Sequence, residues 1–356
     1  MNASRGDNAM ETRMKTPTDT PMETPGETGA ATAEGADAPR PGTRRRRPPL
    51  GSQRFGLAIA FLLLVAVFAA VSPEFRTLGN FFDVTRQVAV TAILAAGATL
   101  VILTGGIDLS VGSLVGLTAL VSVAASAHGL PPVVALLLAV AAGAFVGLVN
   151  GALIARAGLS AFVVTLAALT WLRGVVYVGT SGGAVFTKDA WFAFFGQGAV
   201  AGVPMPALIT LAVFAGCGLL LRRSVFGRHV VAVGANAEAA RLTGVSVPRV
   251  LTRVYVISGV CAGIAGVIVG ARLQSAVPDL GGGYELQAIA AVVLGGTSLS
   301  GGRGGIGGTL LGAMLIAVLV NGMTLLNVSS YYQLIIQGAV IVAAIALDRL
   351  RLRDGR

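Results

Sequence analysis

The sequence predicts an all-α integral membrane protein of about ten transmembrane helices arranged as an inverted repeat. Composition, the spacing of apolar runs and the asymmetry of basic residues carry that prediction. The chain has 356 residues, is 54% hydrophobic and 12% charged, and has a mean hydropathy of +0.80. A soluble domain carries about a quarter charged residues. A bilayer tolerates the deficit, because a spanning helix needs about 20 mostly apolar residues. The 49 glycines suit helices whose backbones approach closely in lipid.

Residues 1–50 are rich in Thr, Pro, Gly, Ala and Glu and end on Arg44 to Arg47, Pro48 and Pro49. Such a segment buries too little apolar surface to offset its ordering entropy. It is also too long and polar for a secretory signal, so it reads as a disordered cytoplasmic tail before a transmembrane domain, 51–356. Apolar runs broken by Gly, Pro or charge then place spans at roughly 55–72, 84–104, 110–127, 131–155, 160–179, 204–221, 250–272, 286–298, 304–326 and 330–348. The eighth is short and is either re-entrant or broken. With the N-terminus inside, 18 basic residues fall on the inner side, and 4 (Arg76, Arg86, Lys188 and Arg272) on the outer. That bias puts both termini in the cytoplasm of a plasma (inner) membrane protein. The net charge of +10 is thus a topology signal: the arginines end apolar runs and form no nucleic-acid-binding stripe.

Two segments echo one another. Gly105-Gly106-Ile107-Asp108-Leu109 parallels Gly282-Gly283-Tyr284-Glu285-Leu286 at an offset of 177, and Leu148-Val149-Asn150-Gly151 parallels Leu319-Val320-Asn321-Gly322 at an offset of 171. An offset of five spans inverts the second copy, as in many transporters. Asp108 and Glu285 stand at the two glycine breaks. A carboxylate at membrane depth is costly and marks a candidate solute pathway; the competing reading makes both residues helix N-caps. Asn150 and Asn321 either hydrogen-bond across helices or touch solute. Ser110, Ser113 and Thr297 lie beside the breaks and join the pathway candidates. Arg173, near Trp171 and Tyr177, reads as a solute contact or as a snorkelling interface arginine. The outer loop, 180–203, carries Trp191, Phe192, Phe194 and Phe195 for a helix lying on the membrane surface.

No resident cofactor or metal is called for. Cys217 and Cys261 lie inside apolar runs, and His128 and His229 are far apart in sequence. An enzyme of the membrane interior would want clustered Asp or His, which the spans lack. Neither lysine, Lys15 or Lys188, follows a glycine, so there is no P-loop. The Gly301–Gly308 stretch reads as a tight turn before a helix rather than a phosphate cradle. Only Asp108 and Glu285 are plausible deep carboxylates, which is thin for ion coupling. A partner ATPase is the expected energy source. Its docking segment is the longest inner loop, 224–250, where Glu238-Ala239-Ala240-Arg241-Leu242-Thr243-Gly244 reads as a short helix with a glycine stop.

GGIDLSVGS (105–113), Glu238-Ala239-Ala240 through Gly244, and VLGGTSLSGGRGGIGGTLLGA (293–313) occur in one order. Together they resemble the permease subunits of bacterial ribose, xylose and galactose ABC importers, over essentially all of residues 54–350. The resemblance implies a homodimer in the membrane lipid, a sugar-type ATPase subunit, a periplasmic or lipoprotein sugar-binding protein, and a fold related to the vitamin B12 permease. It also implies that the subunit is no enzyme and that Glu238, Ala239, Ala240 and Gly244 contact the ATPase. Alternatives are a branched-chain amino acid permease of the same superfamily and a stand-alone secondary transporter. Which sugar is carried is not written in the spans.

Overall fold

The computed structural model describes residues 50–353. The tail reading of residues 1–49, with its arginine cluster, lies outside the described residues. In chain order come α1 (Leu50–Val71), a 3-10 turn (Glu74–Arg76), α2 (Leu78–Leu103), α3 (Val111–Ala127), α4 (Pro132–Ala155), α5 (Ala161–Gly179) and β1 (Val185–Phe186). Then follow α6 (Ala190–Gln197), β2 (Ala199–Val200), β3 (Val203–Pro204), α7 (Met205–Arg223), α8 (Val225–Ala235), α9 (Ala237–Leu242) and α10 (Val247–Leu273). The chain ends with β4 (Ser275–Ala276), α11 (Tyr284–Leu294), α12 (Ile306–Leu325) and α13 (Ser330–Arg353).

Each of the ten apolar runs is a helix. Among the described residues, six of them, α2, α4, α5, α7, α10 and α12, are long and apolar enough to cross a bilayer. The short eighth run, α11, has 11 residues. At about 1.5 Å per residue it reaches only about 16 Å, half of a hydrocarbon core of about 30 Å. Local chemistry sets the starts. Thr77 accepts from the Asn80 N–H at α2, Asp189 from Trp191 at α6, Ser224 from Gly227 at α8 and Asn236 from Ala239 at α9.

The two longest helices, α2 and α10, cross at the centre, with 89% and 78% of their apolar windows buried. α10 packs on α4 and α3, while α2 packs on α12 and α11. α3 lies on α4 and α5, as α11 lies on α12 and α13. Exchanging α2 with α10, α3 with α11, α4 with α12 and α5 with α13 therefore preserves these packing partners. This two-fold pattern matches the repeat expected of spans 2–5 and 7–10.

The register differs from the sequence match. α3 begins at residue 111 and α11 at 284, a separation of 173. Helix starts thus set Glu285 against Gly112, and Asp108 against Gly281, four residues away from the Asp108–Glu285 match. The five-residue likeness rested on its glycine pair, and glycines recur at several nearby positions.

α4 and α10 meet backbone to backbone. A Cβ on Gly263 would stand 2.8 Å from Val140 Cα, and one on Gly151 would stand 2.8 Å from Thr252 Cα. Gly143 and Gly259 face each other along the same seam. Small residues permit this approach where lipid offers no hydrophobic drive. At one end of the bundle, β1 pairs with β4 (Val185↔Ala276), tying loop 180–203 to the α10–α11 connection. The expected aromatic helix forms there as α6, but Phe192 is fully buried in the bundle while Trp191 is exposed.

Candidate functional site

The break between α2 and α3 starts with glycine. Gly105 has φ 81°, and the N–H groups of Gly105 and Gly106 return to the Ile102 and Val101 carbonyls at 2.9 and 3.2 Å. A side chain resists that left-handed turn. The chain then re-enters the bundle through Asp108. Its Oδ1 accepts from the Ser110 N–H at 3.0 Å and the Ser110 hydroxyl at 2.6 Å, and Oδ2 accepts from the Ser258 hydroxyl of α10 at 2.9 Å. Asn150 of α4 donates to Ser110 Oγ at 3.1 Å. All four residues are buried. Asp108 is therefore not the N-cap of α3, which is Ser110; it holds the turn that leads into the helix and gathers α3, α4 and α10 around one carboxylate. Buried polar groups that find partners hold helices in a fixed arrangement; unpaired ones are costly.

Glu285 is different. It is the second residue of α11, after Gly283 at φ 85°. Its Oε1 accepts from the Gly283 N–H at 3.3 Å, but Oε2 is buried with no hydrogen-bond partner. Gly112 of α3 lies against that oxygen, and a side chain there would overlap it. The N-terminal turns of two broken helices thus meet, and each presents a positive dipole end. Ser113, one residue further along α3, is also buried with an unpartnered hydroxyl. Arg173 of α5 is half-buried, and its Nη2 would lie 3.6 Å from a Cβ on Gly282. Ser113, Arg173 and Glu285 therefore sit around the α3–α11 meeting point.

The remaining candidates lie elsewhere. Asn321 of α12 donates to Asn80 Oδ1 of α2 at 2.8 Å. Asn150 and Asn321 thus both bond across helices. Thr297 is buried, and its hydroxyl accepts from the Gly305 N–H at 3.3 Å, closing the turn between α11 and α12. That Gly-rich stretch is a tight turn, with Gly301, Gly302 and Gly304 at positive φ.

At the end that carries α8 and α9, Arg241 donates two hydrogen bonds to Glu238, at 3.0 and 2.6 Å. The guanidinium holds the exposed Glu238 carboxyl below the ordinary glutamate value. A lowered carboxylate pKa means that this contribution is present near neutral pH and is lost as pH falls through the lowered value. Gly244 stops α9 at φ 84°. Ala239 is exposed, but Ala240 is 5% exposed and packs into the chain's own core. Ala240 is therefore not available to a partner: successive helical residues point about 100° apart, so neighbours cannot share one face. The outward apolar residue is Leu242, 76% exposed.

Several polar residues escaped sequence reasoning. Ser258 and Asn80 complete the two networks above. Tyr255 is fully buried, with its hydroxyl unpartnered beside Gly106. Thr91, Gln287 and Gln337 form a chain linking α2, α11 and α13 beside a pocket lined by Ile316 and Leu319. The available signal was a polar residue inside an apolar run. Helix α8 was read as loop; the structure buries Gly227, Val230 and Val233 along one of its faces.

The family described as "Branched-chain amino acid transport system / permease component" matches residues 80–345. The ribose import permease of Escherichia coli (strain K12) is 48% identical over 82% of this chain and 92% of its own length. The ribose import permease of Bacillus subtilis (strain 168) is 42% identical over 83% of this chain and 93% of its own. The D-allose transport system permease of E. coli (strain K12) is 37% identical over 83% and 92%. No solved structure matches. The chain is a multi-pass membrane transport component rather than an enzyme, and it belongs to the permease family of bacterial sugar ABC importers.

Proposed function

We propose that this subunit carries a monosaccharide, a pentose or hexose, across the plasma (inner) membrane as a homodimer. A separate sugar-type ATPase drives it, and an extracytoplasmic binding protein delivers the sugar. The observation that carries the reading is the 48% identity to a ribose import permease across 82% of the chain. Both termini and the α8–α9 end face the cytoplasm in this reading, as the basic bias suggests. The ATPase receives the exposed side of α9, at Glu238, Ala239 and Leu242, with Gly244 setting the exit. Ser113, Arg173 and Glu285 lie along the solute path. Asp108, Ser110, Asn150, Thr297 and Asn321 hold the helices that frame it. The whole assembles as about ten spans per subunit on a vitamin B12 permease-like plan.

The test is uptake of labelled ribose, xylose, allose, arabinose and galactose into vesicles holding the permease, its ATPase and its binding protein. Uptake of one sugar that requires ATP and both partners supports the reading. Uptake by the permease alone, or of leucine in place of any sugar, overturns it. The leucine arm is included because the matching family's description names branched-chain amino acids.

A further inference from the structure

The most crowded backbone contact at the α8–α9 end joins three elements distant in sequence. Gly234 lies in the last turn of α8. A Cβ there would overlap the Leu103 carbonyl at the end of α2, and would stand 2.7 Å from the Gly302 nitrogen. Gly302, in the α11–α12 turn, donates its N–H to the Leu103 carbonyl at 2.9 Å. A Cβ on Gly301 would lie 2.9 Å from both the Gly105 nitrogen and the Gly234 oxygen. A Cβ on Gly302 would lie 2.7 Å from Ala235 Cα. Gly301 and Gly302 are both at positive φ, at 78° and 69°. Three backbones therefore touch with no side chain between them. One belongs to the segment carrying α9, one to the α2–α3 break and one to the α11–α12 turn.

We infer that Gly234, Gly301 and Gly302 form a joint that positions both halves of the repeat under α8–α9, so that a push on α9 reaches the two helix breaks together. This rests on the docking reading of α9 proposed above. The physical case is stiffness. A side-chain contact can change rotamer and absorb a displacement, whereas backbone in van der Waals contact and hydrogen-bonded cannot give without moving the elements. α8 is itself anchored, because Val230 and Val233 are buried in the core. Its displacement must therefore carry Leu103 and Gly302 with it. Beyond Leu103 the chain runs within seven residues into Ser110 and α3, and α11 precedes Gly302. Those two helices meet at Gly112 and Glu285, so the joint addresses both sides of the proposed solute path. The three glycines are positioning residues, which touch neither sugar nor nucleotide.

The test uses the full transporter, reconstituted with its ATPase and binding protein. Gly234→Ala should leave assembly and unstimulated ATP hydrolysis intact, while stimulation by sugar-loaded binding protein falls about tenfold, within the range of ordinary site–site coupling. Gly263→Ala, which strains the distant α4–α10 seam, should lose stability but keep stimulation. Should Gly234→Ala fail to fold, Ala235→Val takes its place: the Ala235 Cβ lies 3.0 Å from where a Cβ on Gly302 would stand, so two more methyls there press on the same joint. Stimulation should again fall by about fivefold or more, with unstimulated hydrolysis intact. Unchanged stimulation in either folded variant overturns the inference. If Gly244→Val leaves stimulation intact, the docking reading of α9 fails. If Gly244→Val abolishes stimulation while Gly234→Ala does not, only the joint fails.

Discussion

Replacing Gly263 with alanine tests whether α4 and α10 meet as closely as described. The new methyl would stand 2.8 Å from Val140 Cα and 3.0 Å from the Ala139 oxygen. Both neighbours are backbone, so neither can rotate away. Ordinary carbon contacts begin near 3.5 Å, so α4 must withdraw by about 0.7 Å. That gap spreads along the seam, where Gly143 faces Gly259, and forfeits about a quarter to a half of the dispersion energy at each affected contact. Overpacking of this kind costs about 1–3 kcal/mol. Alanine returns about 0.5–1 kcal/mol through its better helix propensity. The net expectation is a destabilisation of about 1–2 kcal/mol, measured by reversible unfolding of the purified protein in mixed micelles. Gly216→Ala on α7 is the control, since a Cβ there meets nothing within 4 Å. It should be neutral or stabilise by up to about 1 kcal/mol. Equal stability of Gly263→Ala and the parent would refute the close seam.

Asp108→Ala should destabilise by about 2–5 kcal/mol, because Ser110 and Ser258 lose their shared acceptor in a buried site. Asp108→Asn keeps one oxygen and should cost less; equal stability of the two variants in the same unfolding assay would show that the carboxylate does not hold this turn. A double-mutant cycle of Asn80→Ala with Asn321→Ala should return a coupling near 0.6 kcal/mol, the average for such bonds in membranes; additive losses would show the pair to be unconnected. Gly244→Val places a β-branched residue at φ 84° in open space, so the subunit should insert normally. Stimulated ATP hydrolysis should nonetheless be lost, and full stimulation would move the docking site away from α9. Cysteines at positions 52 and 355 should resist an impermeant thiol reagent in intact cells; labelling of either reverses the orientation.

The ten helices that coincide with the apolar runs were legible because each run is ended by glycine, proline or charge. Glu238-Ala239-Ala240 and the Gly244 stop likewise announced α9, whose Asn236 cap only the structure shows. The role of Asp108 in the turn before α3 was only half legible. Its Ser110 partner is two residues away, but Ser258 lies 150 positions on. The register of the repeat was misjudged by four residues because glycine is so frequent that several alignments match.

Composition and basic-residue bias were enough to establish a multi-pass membrane protein, and ordered motifs were enough to suggest its family. Both follow from solvent: a bilayer rewards length and apolarity along the chain, which are local properties. Which face of each helix meets protein was decided only by the tertiary structure. α4 is more hydropathic than α2, yet 28% of its apolar window is buried against 89% for α2. Lipid tails and a protein core are almost equally apolar, so no periodicity separates the two faces. The inward turn of Ala240, the Ser258 partner of Asp108 and the contact of Gly234 with Leu103 all depend on that choice. Each is set by backbones that meet from far apart in the chain, which no local pattern encodes.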